Sequence, residues 1–123
     1  MKLLGAAVLL YVLLKLPAMG HGHNLPGTEH NRRHAITWAF CGTLKPCTNG
    51  DWAQRVFECE SGPNLWPWAR NGQYLGFAQM GSWARAQTGW QWGVWAQARA
   101  AASLQRRFGW SQWSCAAMVG VGP

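Results

Sequence analysis

Residues Asp51–Gly62, "DWAQRVFECESG", decide the reading of this chain. Asn49-Gly50 marks a turn, and Asp51 after it is a good N-cap. From Trp52 to Glu60 the spacing is helical. Trp52, Val56 and Cys59 share one face at i, i+4 and i+7, while Arg55 and Glu58 lie mostly on others. The predicted helix ends on a carboxylate, Glu60, directly after a cysteine. No Asp or Glu follows it in the 123-residue sequence, which holds only four acids.

Length and composition suit one small domain: 49% of residues are hydrophobic and 12% charged, which excludes a disordered chain. A core of this size is marginal, so covalent staples are expected, and Cys41, Cys47, Cys59 and Cys115 can supply two. The first twenty residues have the form of an export signal. Lys2 gives the positive start, Leu3 to Leu14 the apolar run, and Ala18-Met19-Gly20 the small-x-small end. An uncleaved anchor is the alternative, although the run is short for a membrane span. Export implies an oxidising compartment and disulfide-bonded cysteines. Four cysteines allow three connectivities. Removal of residues 1–20 leaves nine basic side chains less four acids, a net charge of +5, with Lys45 the only lysine. Such a charge draws a secreted protein toward polyanions such as an acidic cell wall.

Along the chain, His21–His34 reads as a polar flexible arm, Ala35–Cys41 as a short helix, and Cys41–Cys47 as a turn-like loop. Ser61–Gly72, rich in Pro, Asn and Gly, reads as a loop, and Tyr74–Ala78 as a short strand or extended passage. Ser82 is a cap for a short helix from Trp83 to about Gln87, stopped by Thr88-Gly89. Val94–Phe108 is the clearest helix, with an alanine-rich middle, Arg106 and Arg107 in its last turn, and Gly109 after it. Trp110–Cys115 returns to the body, and no internal repeat is present.

Most glycosidases need two carboxyl groups, about 5–5.5 Å apart for retention or about 6.5–9.5 Å for inversion. Glu58 and Glu60 stand at i, i+2 and do not face each other on a helix. Asp51 lies about 13 Å away along the helix, and Glu29 falls in the arm. A catalytic Glu60 would therefore act alone. One carboxyl group can serve as acid and then as base when a dry surround raises its pKa and the substrate supplies its own nucleophile, as N-acetylated sugars do. On composition alone, Glu60 reads as an ordinary surface residue at a helix end, and catalysis is the lesser alternative.

The sequence that follows resembles the lysozyme-like lytic transglycosylase superfamily. In that family a catalytic Glu-Ser pair ends a helix, and Glu60-Ser61 matches it. A Pro-x-Ala segment follows, matched by Pro67-Trp68-Ala69, then a Gly-Leu-x-Gln motif, matched by Gly76-Phe77-Ala78-Gln79 with Phe for Leu. The chain is most similar to the small resuscitation-promoting-factor type of domain. There a Cys precedes the acid and a Gly-Trp-x-x-Trp-x-x-Cys-like segment closes the domain, as Cys59-Glu60 and Gly109–Cys115 do here with minor spacing differences. The similarity covers about Asp51 to Ala116. Each motif alone is weak, and their order and spacing together are fairly specific.

The resemblance implies Glu60 as acid/base, Gln79 as a glycan contact near the scissile bond, and Ser61 as an orienting neighbour. It implies peptidoglycan as substrate, cut between N-acetylmuramic acid and N-acetylglucosamine, with a 1,6-anhydro product; a muramidase using the same Glu60 is the alternative. It also implies a Cys59–Cys115 bridge, and with it Cys41–Cys47. The expected fold is α+β, mostly α: a small, disulfide-stapled, lysozyme-like domain with a short β or extended segment beside the active-site groove. The expected organisation is a signal over 1–20, an arm and disulfide loop over 21–50, the domain over 51–117 and a tail over 118–123. The protein is expected to be exported, bacterial or phage-encoded, monomeric, and without cofactor or metal.

Ten tryptophans stand out in a chain this short. Core packing accounts for most, with Trp52, Trp83, Trp95 and Trp110 at core-like positions. Trp66, Trp68 and Tyr74 follow the acid, where a groove wall would stand and a sugar could stack. Arg70, Arg85, Arg99, Arg106 and Arg107 attract an anionic wall or simply form solvated helix faces. No nucleic-acid-binding module is recognisable. An N-terminal His21, together with His23, would be a Cu²⁺ or Ni²⁺ chelate, against the plainer reading of a polar arm. No Cys/His set has zinc-finger spacing. Two further readings compete: a non-catalytic wall-binding or virion structural module, and a membrane-active cationic protein.

Overall fold

The computed structural model describes residues 27–122. The expected export segment and the His21 and His23 pair lie outside them. Five α-helices, a two-stranded antiparallel sheet and one 3₁₀ turn follow in the order α1 (Glu29–Cys41), α2 (Thr48–Ser61), β1 (Arg70–Asn71), β2 (Tyr74–Leu75), α3 (Ser82–Thr88), α4 (Val94–Phe108), the 3₁₀ turn Trp110–Gln112 and α5 (Ser114–Met118). The architecture is thus mostly helical, with a minimal sheet. No helix among the described residues is long and apolar enough to cross a membrane.

α2 carries the aromatic core. Its buried stripe is Ala53, Val56 and Phe57, at i, i+3 and i+4. Phe57 is fully buried and its ring meets Phe40, Phe77 and Trp113 at centroid distances of 5.5–5.8 Å. Cys59, expected on the apolar face, is exposed, and Trp52 is half-buried at the core's edge. α2 also begins earlier than Asp51. Its cap is Cys47, whose Sγ accepts from the Gly50 N–H at 3.3 Å, so Asn49-Gly50 forms helix rather than a turn. Gly50 is required there for space, because a Cβ would lie 2.6 Å from Cys41 Sγ.

α1 corrects the reading of the arm. Helix starts at Glu29, where the Thr28 hydroxyl accepts from the Asn31 N–H at 3.1 Å. Ala35 and Ile36 are fully buried and join the core with α2 and α4. The two arginines of "HNRRH" hold the loop after α2. Buried Arg32 donates to Asn64 O at 2.9 and 3.1 Å and to Gly27 O at 2.8 Å. Arg33 reaches Glu29 (2.8 Å), Glu58 (2.6 Å), Gln54 (2.9 Å) and Pro63 O (3.0 Å). The folded unit therefore extends well before residue 51. It also extends past residue 117: Val121 is buried and its N–H donates to Ala116 O at 2.8 Å.

The loop after α2 contains β1, which pairs with β2 in the register Arg70↔Leu75 and Asn71↔Tyr74 across Gly72-Gln73. The predicted strand at 74–78 is only two residues long, because the chain turns at Gly76–Gln79. Ser82 is the first residue of α3 rather than its cap. Its N–H and hydroxyl both donate to Gln73 Oε1, at 3.0 and 2.9 Å. Among the tryptophans expected in the core, Trp110 is buried and Trp95 half-buried, but Trp83 is 54% exposed.

Both disulfides implied by the resemblance are present, Cys41–Cys47 and Cys59–Cys115. They are bonds of an oxidising environment. Cys59–Cys115 closes 56 residues and Cys41–Cys47 only 6. In the chain-entropy description, replacing Cys59 and Cys115 together by Ala should cost about 4 kcal/mol, and replacing Cys41 and Cys47 about 2 kcal/mol. Denaturant unfolding without reductant checks this, and equal losses for the two pairs would contradict it.

Candidate active site

Glu60 stands in the last turn of α2, and three ties fix the surrounding walls. Cys59 is bonded to Cys115. The Cys115 N–H donates to Glu60 Oε2 at 3.1 Å. Trp113 Nε1 donates to Ala78 O at 2.9 Å, which joins the C-terminal segment to the 76–79 turn. Between these walls lies a cleft of about 330 Å³ lined by Glu60, Asn71, Tyr74, Gln79, Gln112, Trp113 and Ser114.

Partial burial raises the Glu60 pKa, and the Cys115 N–H, which favours the ionised form, opposes that rise. The other three carboxylates are placed elsewhere. Glu29 and Glu58 are both paired with Arg33, and Asp51 lies in the first turn of α2. Glu60 is therefore the only side-chain carboxylate of the sequence that lines the cleft. Among the described residues no group of three or more His, Cys, Asp or Glu side chains is placed to hold a metal ion.

Gln79 is held in a costly conformation. Its φ is +49°, a left-handed value worth about 1 kcal/mol of strain for a residue with a Cβ. Its Nε2 donates to Gly76 O at 2.9 Å, leaving the side-chain oxygen as an acceptor in the cleft. The turn rests on Gln97, a fully buried residue of α4. Gln97 Oε1 accepts from the Phe77 N–H at 3.0 Å, and its Nε2 donates to Pro67 O and Trp92 O, both at 2.8 Å. Gly76 makes room for it, with φ +82° and no side chain, since a Cβ would sit 2.3 Å from Gln97 Oε1.

Of the residues read from the sequence, the structure brings Glu60, Gln79 and Tyr74 into one cleft. It does not bring Ser61, Trp66 or Trp68 to that lining. The Ser61 hydroxyl donates back to Phe57 O at 3.0 Å, closing the end of α2. Trp66 and Trp68 are exposed and pack edge to face at 5.4 Å, with the Arg32 guanidinium 5.7 Å from the Trp66 ring. Asn71, Gln112, Trp113 and Ser114 are not among the site residues read from the sequence, although the last three lie in the Gly109–Cys115 segment that carries the resemblance. For Trp113 a signal existed, since it stands two residues before the cysteine bonded to Cys59. No protein-family model, characterised protein or solved structure matches the chain.

Two outcomes follow. Gln97→Leu leaves the Phe77 N–H, Pro67 O and Trp92 O without their side-chain partner, the first two in buried surroundings, and should lower stability by at least about 2 kcal/mol in denaturant unfolding. A loss below 1 kcal/mol would show that the site does not depend on it. For Glu60, a folded pKa above the unfolded one means that its contribution to stability is full below the ordinary carboxyl range and is lost as pH rises through the folded value. Glu60→Gln should therefore melt at or above the wild-type temperature at neutral pH, with the difference vanishing in acid. A variant that melts lower at neutral pH would contradict this.

Proposed function

We propose that this protein is an exported peptidoglycan-cleaving enzyme of the lytic transglycosylase type, with Glu60 as its single acid/base. The observation that carries the reading is the isolation of Glu60: one half-buried carboxyl group, its pKa raised by burial, facing a cleft that holds no second carboxylate. The resemblance of the Glu60-Ser61, Pro67–Ala69, Gly76–Gln79 and Gly109–Cys115 segments to lysozyme-like transglycosylases supplies the substrate class. The two disulfides and the basic charge suit a protein working outside the cell on an anionic wall.

The chemistry uses one residue twice. Protonated Glu60 donates to the glycosidic oxygen as the bond from C1 of N-acetylmuramic acid breaks. The substrate's own acetamido oxygen stabilises the positive charge at C1. Glu60, now ionised, takes the proton of the 6-hydroxyl as O6 closes on C1. One C–O bond is broken, one is made, and Glu60 is protonated again. Gln79 and Tyr74 line the space beside it and offer hydrogen bonds to the sugar. If water replaces the 6-hydroxyl, the same residue yields a muramidase, and only the product differs.

Glu60→Gln removes the proton and keeps the acceptor for the Cys115 N–H. It should lower the release of soluble fragments from purified peptidoglycan by about 10²–10⁴-fold while the far-ultraviolet circular dichroism stays unchanged. The activity of the native protein should fall as pH rises through the elevated Glu60 pKa, because the acid form is the one that starts the reaction. Full activity in Glu60→Gln, or wall binding by the native protein with no soluble product, would overturn the catalytic reading.

A further inference from the structure

The Glu60 cleft does not stop at its own walls. A second hollow of about 240 Å³ shares Tyr74, Gln79, Gln112 and Trp113 with it and runs on to Trp83 at the start of α3. Trp83 is the most exposed tryptophan among the described residues, at 54%. It packs edge to face on Phe108, itself 40% exposed, with ring centroids 5.3 Å apart. The Arg107 guanidinium lies 5.2 Å from the Phe108 ring, and its Nη1 donates to Gln87 O at 2.8 Å. Two large aromatic rings side by side in water, backed by a fixed cation, form a ledge where the groove ends. A lone exposed apolar side chain needs no explanation, whereas a pair placed at the end of a polar cleft does.

We propose that Trp83 is a distal glycan subsite of this groove, one that stacks on a sugar ring several units from the bond at Glu60 and makes the protein a reader of strand length. The inference rests on the glycan reading of the Glu60 cleft. Its occupant is the same polymer strand, because the two hollows adjoin and share four lining residues. The edge-to-face contact with Phe108 fixes the Trp83 plane and leaves its exposed surface for the C–H face of a sugar. Arg107 adds an attraction for the carboxylates that muramyl residues carry, in a part of the chain where no acid follows Glu60.

The test is binding rather than turnover, so it does not depend on Glu60 chemistry. Glu60→Gln is titrated calorimetrically with peptide-free strands of one and of four N-acetylglucosamine–N-acetylmuramic acid repeats. The longer strand should bind more tightly. Adding Trp83→Ala should weaken the longer strand by about fivefold, leave the single repeat unchanged, and keep the melting temperature. Trp83→Tyr in the same background should restore most of the loss. Equal affinity of both strands for Glu60→Gln, no binding of either, or full long-strand affinity after Trp83→Ala would overturn the subsite. Wall cleavage by the native protein is scored separately. A protein that binds by length without cutting loses only the catalytic reading, and one that cuts without reading length loses only the subsite.

Discussion

The side-chain amide of Gln97 holds the working half of this molecule together. It is fully buried, and its amide bonds main-chain groups of other segments: the oxygen accepts from the Phe77 N–H, and both N–H groups donate, to Pro67 O and Trp92 O. An amide buried this fully would be costly if unpaired, so the three bonds act together. They require Gly76 to lack a Cβ, and they set the turn on which Gln79 stands in its left-handed conformation. The loop after α2, the 76–79 turn and the approach to α4 are thereby referred to one point on one helix.

The opposite wall is set by the end of α2. Cys59–Cys115 brings the C-terminal segment against that end, and the Cys115 N–H meets the Glu60 carboxyl group. The same short segment supplies Trp113, whose ring packs on Phe57 and whose indole N–H holds Ala78 O. Core and cleft thus share a residue, and Trp113 links the aromatic packing of α2 to the turn carrying Gln79. The remaining acids are kept apart from this place, two of them by Arg33. A cleft with one carboxyl group suits a substrate that brings its own nucleophile.

What the sequence made legible follows physical locality. α4 has its predicted bounds, Val94–Phe108, because alanine propensity, terminal arginines and Gly109 all act within the helix. α1 was misjudged because Arg32 and Arg33 look like solvated polar residues until Asn64 and Glu58 come beside them through the fold. The early start of α2 rests on a sulfur cap and on the space Gly50 leaves for a disulfide, neither of which a propensity argument registers. In the site, Glu60, Gln79 and Tyr74 were readable from motif and neighbourhood. Gln97 resembled any glutamine in an alanine-rich helix, and Trp83, expected in the core, stands at the open end of the groove.

The central claim is that one carboxyl group cuts the glycan by using the substrate's own 6-hydroxyl. The mass of the new chain ends tests it most directly. Purified wall digested with the native protein and resolved by mass spectrometry should yield muramyl ends lighter by one water than hydrolysed ends, with none of the heavy-oxygen label when the digestion is run in labelled water. Muramyl ends that carry one labelled oxygen, or a digest with no new ends at all, would contradict the account.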